Sequence, residues 1–139
     1  MNAVKLGHAH LKVRDLDRAV AFYERFVFMT AGALHHEGAL QRVASDAPTP
    51  LPRATGLYHI AFEVPSQRVF AQAYAALVEA GVAVATVDHR ISWAMYFDDP
   101  DGNGLEVYWD TRAEPGGEPL WRGENRELPV DVIRAALAR

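Results

Sequence analysis

The chain has 139 residues, half of them apolar, which suits one globular domain with a core of its own. Its formal net charge of −4 gives no electrostatic basis for binding nucleic acid or an anionic membrane surface. With no cysteine, disulfides, thiolate nucleophiles, iron–sulfur clusters and cysteine-held zinc are all excluded.

The N-terminus, MNAVKLGHAHLKV, enters directly into strand-like alternation without a cleavable apolar core. No signal peptide is expected, and a cytoplasmic protein is the default. No apolar run approaches the roughly 20 residues that span a bilayer, so no membrane partner is expected. After the first strand, Asp15 is a candidate N-cap for a helix with Leu16, Ala19, Val20, Tyr23, Phe26 and Val27 at helical spacing. Gly32 stops it, and strands are expected near 33–37 and 39–45. The stretch SDAPTPLPRATG reads as a connecting loop.

A second copy of the same pattern begins at His59. HIAFEVPSQRVFAQAYAALVEAG repeats the order of HAHLKVRDLDRAVAFYERFVFMTAG: a histidine, six alternating residues, then a helix start. Ser66 after Pro65 is the second candidate cap, and Val69, Phe70, Ala73, Tyr74, Leu77 and Val78 form the apolar stripe up to Gly81. Strands are expected at 82–87, 92–98 and 104–109. Residues 111–128 read as irregular, with a short helix over 129–138. The predicted fold class is α+β with mixed sheet. Residues 1–110 form one domain of two βαβββ repeats, about 5–50 and 56–110, and 111–139 form an extension.

Alternation along the strands sorts side chains by face. Gly7, Ala9, Leu11 and Val13 point one way, towards the helix, and His8, His10 and Lys12 the other. Ile60, Phe62 and Val64 cover the helix side, leaving His59, Ala61 and Glu63 opposite. Leu105, Val107 and Trp109 take the helix side, leaving Glu106 and Tyr108. The face free of helices therefore collects His8, His10, His59 and Glu106. If DDPDGNG closes a hairpin centred on Asp101, residues whose numbers sum to 202 pair, and Tyr96 lies opposite Glu106 on that face. A buried carboxylate without a partner costs several kcal/mol. Two imidazoles and a carboxylate around a divalent ion supply the partner, in the arrangement that non-haem Fe(II) oxygenases use.

GHAHLKVRDLDRAVAFYE, GLYHIAFEVPSQ and DHRISWAMYFDDPDGNGLEVYWD resemble the vicinal-oxygen-chelate (glyoxalase/bleomycin resistance/extradiol dioxygenase) superfamily. They are most similar to its catechol 2,3-dioxygenase-like, type I extradiol branch. The resemblance implies a curved mixed-sheet cup with helices outside, and metal ligands at His8, His59 and Glu106. It implies an active-site tyrosine at Tyr96 and a nearby histidine at His89. The distal acid–base histidine stays open among His10, His35, His36 and His89, with His36 the chosen candidate. Where relatives carry glycine after the Asp-His pair, this chain has Arg90.

The function implied is extradiol cleavage of a catechol-type aromatic substrate with O₂. Fe(II) is the implied cofactor, with Mn, Ni or Zn as alternatives, and a homodimer is the implied assembly. One alternative is a glyoxalase-type lyase or isomerase, whose sites usually carry a carboxylate where this chain has His59. Another is a metal-free drug-binding resistance protein, which usually lacks the triad.

Overall fold

A computed structural model describes residues 8–26, 38–51, 53 and 55–138. It divides into two compact units, 1–56 with 99–103, and 57–98 with 104–139. No helix among the described residues is long and apolar enough to cross a membrane.

In the first unit, β1 (Ala9–Val13) runs parallel to β2 (Gly38–Arg42), with Leu11 opposite Leu40. Leu11 and Val13 are buried while His10 and Lys12 are exposed, as alternation requires. Helix α1 (Leu16–Phe26) begins where expected: Asp15 Oδ1 accepts from the Arg18 amide at 3.0 Å, satisfying one of the free N–H groups of the first turn. Ala19 and Tyr23, one turn apart, form its buried stripe. Strand β2 ends at Arg42 rather than 45, and the strand expected at 33–37 lies outside the described residues.

Residues 99–103 belong to this unit through a dense polar knot. Asp99 is buried and fully used. Its Oδ1 accepts from the amides of Asp101 (2.9 Å) and Asn103 (2.8 Å), and its Oδ2 from the Tyr23 hydroxyl (2.9 Å) and the Asn103 side chain (2.8 Å). The turn closes with the Gly102 amide on the Asp99 carbonyl. The φ of 85° at Gly102 is left-handed backbone that glycine takes without strain. Asp101 receives Arg14 Nε at 2.6 Å and Arg18 Nη2 at 3.0 Å. Burial alone would raise the Asp101 carboxyl, but the Arg14 and Arg18 hydrogen bonds outweigh it and hold it below the usual range.

The second unit is a five-stranded sheet in the order β3-β6-β5-β4-β7. Its strands are β3 (Ile60–Glu63), β4 (Ala85–Asp88), β5 (Ser92–Asp98), β6 (Gly104–Asp110) and β7 (Arg126–Glu127). The β3–β6 pair is parallel and the other pairs antiparallel. Helix α2 (Gln67–Glu79) is capped by Ser66, whose hydroxyl accepts from the Val69 amide. It ends where Gly81 turns left-handed, and the Val82 amide returns to the Leu77 carbonyl. That closing bond engages Val82, so β4 begins at Ala85 rather than 82.

Phe70, Ala71, Tyr74 and Leu77 of α2 are buried, as are Met95, Phe97, Leu105 and Val107 of the sheet. The Phe70 and Trp93 rings meet edge-on, which assigns Trp93, Met95 and Phe97 to the α2 face. The stretch expected to be irregular contains β7, and the terminal helix is α3 (Val130–Ala135) followed by a 3₁₀ turn, both packed on α2.

Two outcomes follow from the polar knot. Asp99→Ala leaves the Tyr23 hydroxyl and two turn amides without their acceptor, and should lower urea-unfolding stability by about 2–4 kcal/mol, against about 1 for Tyr23→Phe. The depressed Asp101 carboxyl contributes stability that is complete above the unfolded value of about 4 and is lost as pH falls through the folded one. Urea midpoints of the native chain should therefore drop below pH 4, and Asp101→Asn should flatten that limb.

Candidate functional site

The β5–β6 hairpin has the expected register: Asp98 faces Gly104, and Tyr96 faces Glu106. A directly paired residue shares its partner's face, so Tyr96 and Glu106 point together, away from α2. Ala61 of β3 lies opposite Glu106, which brings His59, two residues earlier and on the same face, to the carboxylate. Gly104 makes this approach close. A Cβ there would sit 2.2 Å from the Tyr58 carbonyl oxygen, well inside contact distance.

Glu106 is 8 % exposed and has two partners in this unit. His59 Nε2 lies 2.8 Å from Oε2, and the Tyr96 hydroxyl donates to Oε1 at 3.2 Å. Burial, then the charge and hydrogen bond of Glu106, push the Tyr96 phenol well above the ordinary tyrosine value. At neutral pH Tyr96 is therefore a proton donor and not a phenolate. On its other side His89 Nε2 lies 2.8 Å from the Tyr96 oxygen, and His89 Nδ1 lies 2.7 Å from Asn125 Oδ1. The result is one polar line, Asn125–His89–Tyr96–Glu106–His59. Beside it is a cavity of about 390 Å³ lined by Tyr58, His59, Val84, Ala85 and Tyr96. His59 Nδ1 is buried with no hydrogen-bond partner among the described residues.

The donor chemistry fits a divalent cation. An imidazole nitrogen and a carboxylate oxygen each about 2.0–2.2 Å from one ion at near right angles are about 3 Å apart, close to the 2.8 Å seen here. Among the described residues of this unit, no third histidine or carboxylate joins the pair. His8 and His10 belong to the first unit, where their rings meet edge-on at 6.4 Å. His35 and His36 lie outside the described residues.

Of the expected site residues, the second unit thus brings together His59, Glu106, Tyr96 and His89. Arg90, left open by sequence, is already committed. It takes a left-handed φ of 68°, its Nε donates to Glu118 Oε1 at 3.1 Å, and its amide donates to Asp88 Oδ1 at 2.7 Å. Asn125 escaped sequence reading because β7 is two residues long, too short for alternation to register.

Residues 5–107 match the model of the Glyoxalase/Bleomycin resistance protein/Dioxygenase superfamily. Among curated relatives, the chain is 35 % identical over 117 residues to a catechol-2,3-dioxygenase of Bacillus subtilis, covering 76 % of this chain and 41 % of that protein. It is 32 % identical over 90 residues to biphenyl-2,3-diol 1,2-dioxygenase 3 of Rhodococcus globerulus, covering 63 % and 47 %. The chain therefore spans less than half the length of these relatives. A glyoxalase/dioxygenase from Nostoc punctiforme superposes with a TM-score of 0.63 at 23 % identity, over 78 % of this chain and 92 % of that one. A glyoxylase/bleomycin resistance protein/dioxygenase domain from Frankia gives 0.65 at 21 %, over 78 % and 99 %. The chain belongs to the glyoxalase/bleomycin resistance/dioxygenase superfamily and has its α+β fold.

Removing the Tyr96 hydroxyl takes one donor from a buried carboxylate. Tyr96→Phe should cost about 1–3 kcal/mol in urea unfolding. In a double-mutant cycle with Glu106→Gln, the two losses should be smaller together than their sum.

Proposed function

We propose that this chain is a metal-dependent dioxygenase that cleaves a catechol-type aromatic substrate with O₂ in the extradiol manner. The observation that carries the reading is the buried Glu106 carboxylate, 2.8 Å from His59 and hydrogen-bonded by Tyr96. His8, His59 and Glu106 would hold Fe(II), with Mn, Ni or Zn as alternatives. The similarity to proteins named as catechol and biphenyl-diol dioxygenases supports the substrate class. The domain is taken as two βαβββ repeats within residues 1–110, extended by 111–139, and the assembly as a homodimer.

Fe(II) held by two imidazoles and one carboxylate would supply open positions for a catechol and O₂. The chain's own groups do the rest. The cavity wall of Tyr58, Val84 and Ala85 offers an aromatic ring and two apolar side chains to a flat ligand. Tyr96, protonated at neutral pH, can donate to a substrate oxygen, and His89 Nε2 behind it can supply a proton to that hydroxyl oxygen. His36 is the proposed distal acid–base group.

The test is oxygen uptake after anaerobic loading with Fe(II), with catechol and biphenyl-2,3-diol. A yellow ring-fission product is expected from the native chain. His8→Ala, His59→Ala and Glu106→Gln should lose iron and fall to background, and Tyr96→Phe should keep iron but lose roughly 10²-fold in kcat. Stoichiometric iron without oxygen uptake across that panel would overturn the proposal. Turnover with Ni or Zn and no oxygen consumption would replace it with a lyase.

A further inference from the structure

The extension after residue 110 returns to the sheet at β7. Val87 pairs with Glu127 and Asp88 with Arg126, and His89 and Asn125 are the residues flanking the end of that ladder. Alternation gives both the face of Val87, Ala94 and Tyr96, away from α2. The Thr86 hydroxyl pins the return by donating to the Leu128 carbonyl at 3.0 Å, and Leu128 is buried. The 2.7 Å contact between Asn125 Oδ1 and His89 Nδ1 forms where that ladder ends.

The direction of the polar line constrains His89. The Tyr96 proton is used on Glu106, so His89 Nε2 must carry the N–H that reaches the Tyr96 oxygen. The other ring nitrogen then depends on Asn125. An amide presenting Oδ1 suits a protonated Nδ1, and with Nε2–H the ring is then an imidazolium. With the amide turned over, its NH₂ donates to a bare Nδ1 and the ring is neutral. A primary amide can do both without moving the ring. A carboxylate serves only the protonated form, and an alkyl group neither.

We propose that Asn125 is a positioning residue: it holds the His89 ring with Nε2–H directed at Tyr96 in both protonation states of that ring. The inference rests on the reading of Tyr96 and His89 as active-site groups, and it assigns the extension a role in the site. Asn125 acts through His89 alone.

The experiment compares the native chain with Asn125→Leu and Asn125→Asp, with His89→Gln identifying the His89 signals. The ¹⁵N shifts of the His89 ring are followed between pH 6 and 8, alongside oxygen uptake by Fe(II)-loaded protein with catechol. In the native chain Nε2 keeps its proton throughout. In Asn125→Leu the two nitrogens move towards averaged shifts, and kcat falls roughly ten-fold with KM within about two-fold. In Asn125→Asp both nitrogens stay protonated and the fold is kept. His89 signals in Asn125→Leu that superpose on the native ones would overturn the inference, whatever the activity. If the native chain turns over no catechol, the proposed reaction fails, and the ring shifts alone decide the assignment of Asn125.

Discussion

The structure of the second unit is organised around a carboxylate where hydrophobicity would exclude one. Glu106 lies between Leu105 and Val107, both buried, on a strand whose neighbours are Ile60–Glu63 and Ser92–Asp98. Desolvating such a group costs several kcal/mol unless its lone pairs are engaged. Here an imidazole engages one oxygen and a phenol the other: His59 stands immediately before β3, and Tyr96 lies within β5. Two partners placed by two different ladders make the carboxylate a fixed point. The histidine and asparagine beyond Tyr96 extend that fixed point to the protein surface.

Much of this is legible in the sequence. The hairpin sum followed from the turn residues, and it put Tyr96 across from Glu106 because a turn of known centre leaves one pairing. The caps at Asp15 and Ser66 were visible because a short acceptor side chain ahead of an apolar stripe has one efficient use. The faces followed from alternation: Leu11 and Val13 went inside and His10 and Lys12 outside. What escaped was governed by tertiary pairing. Strand β4 lost its first three expected residues because the helix stop at Gly81 engages Val82. Two-residue β7 has no periodicity at all, so the contact it builds at His89 had no sequence signature.

The turn DDPDGNG shows how one motif serves two ends. As a hairpin it sets the register of β5 and β6. As a polar knot, its residues 99–103 belong to the first unit, where Asp99 and Asp101 use acceptor oxygens on Tyr23, Arg14 and Arg18. Either use alone would explain the glycine, whose left-handed φ closes the bend. Only the second explains why Asp99 and Asp101 are buried: loop carboxylates are ordinarily left in water, and these are bonded to Arg14, which follows β1, and to Arg18 and Tyr23 of α1.

Gly104 opens β6 where only a hydrogen atom clears the Tyr58 carbonyl oxygen. Glycine is a poor strand former, so local preference alone would favour exchanging it for a bulkier β-branched residue. Here that exchange would wedge apart the backbones carrying the imidazole and the carboxylate, two residues before Glu106 and one before His59. A library randomised at this codon and selected for folding alone should therefore still return the smallest residue, with the intimacy of two parallel chains, and no chemistry at all, enforcing the choice.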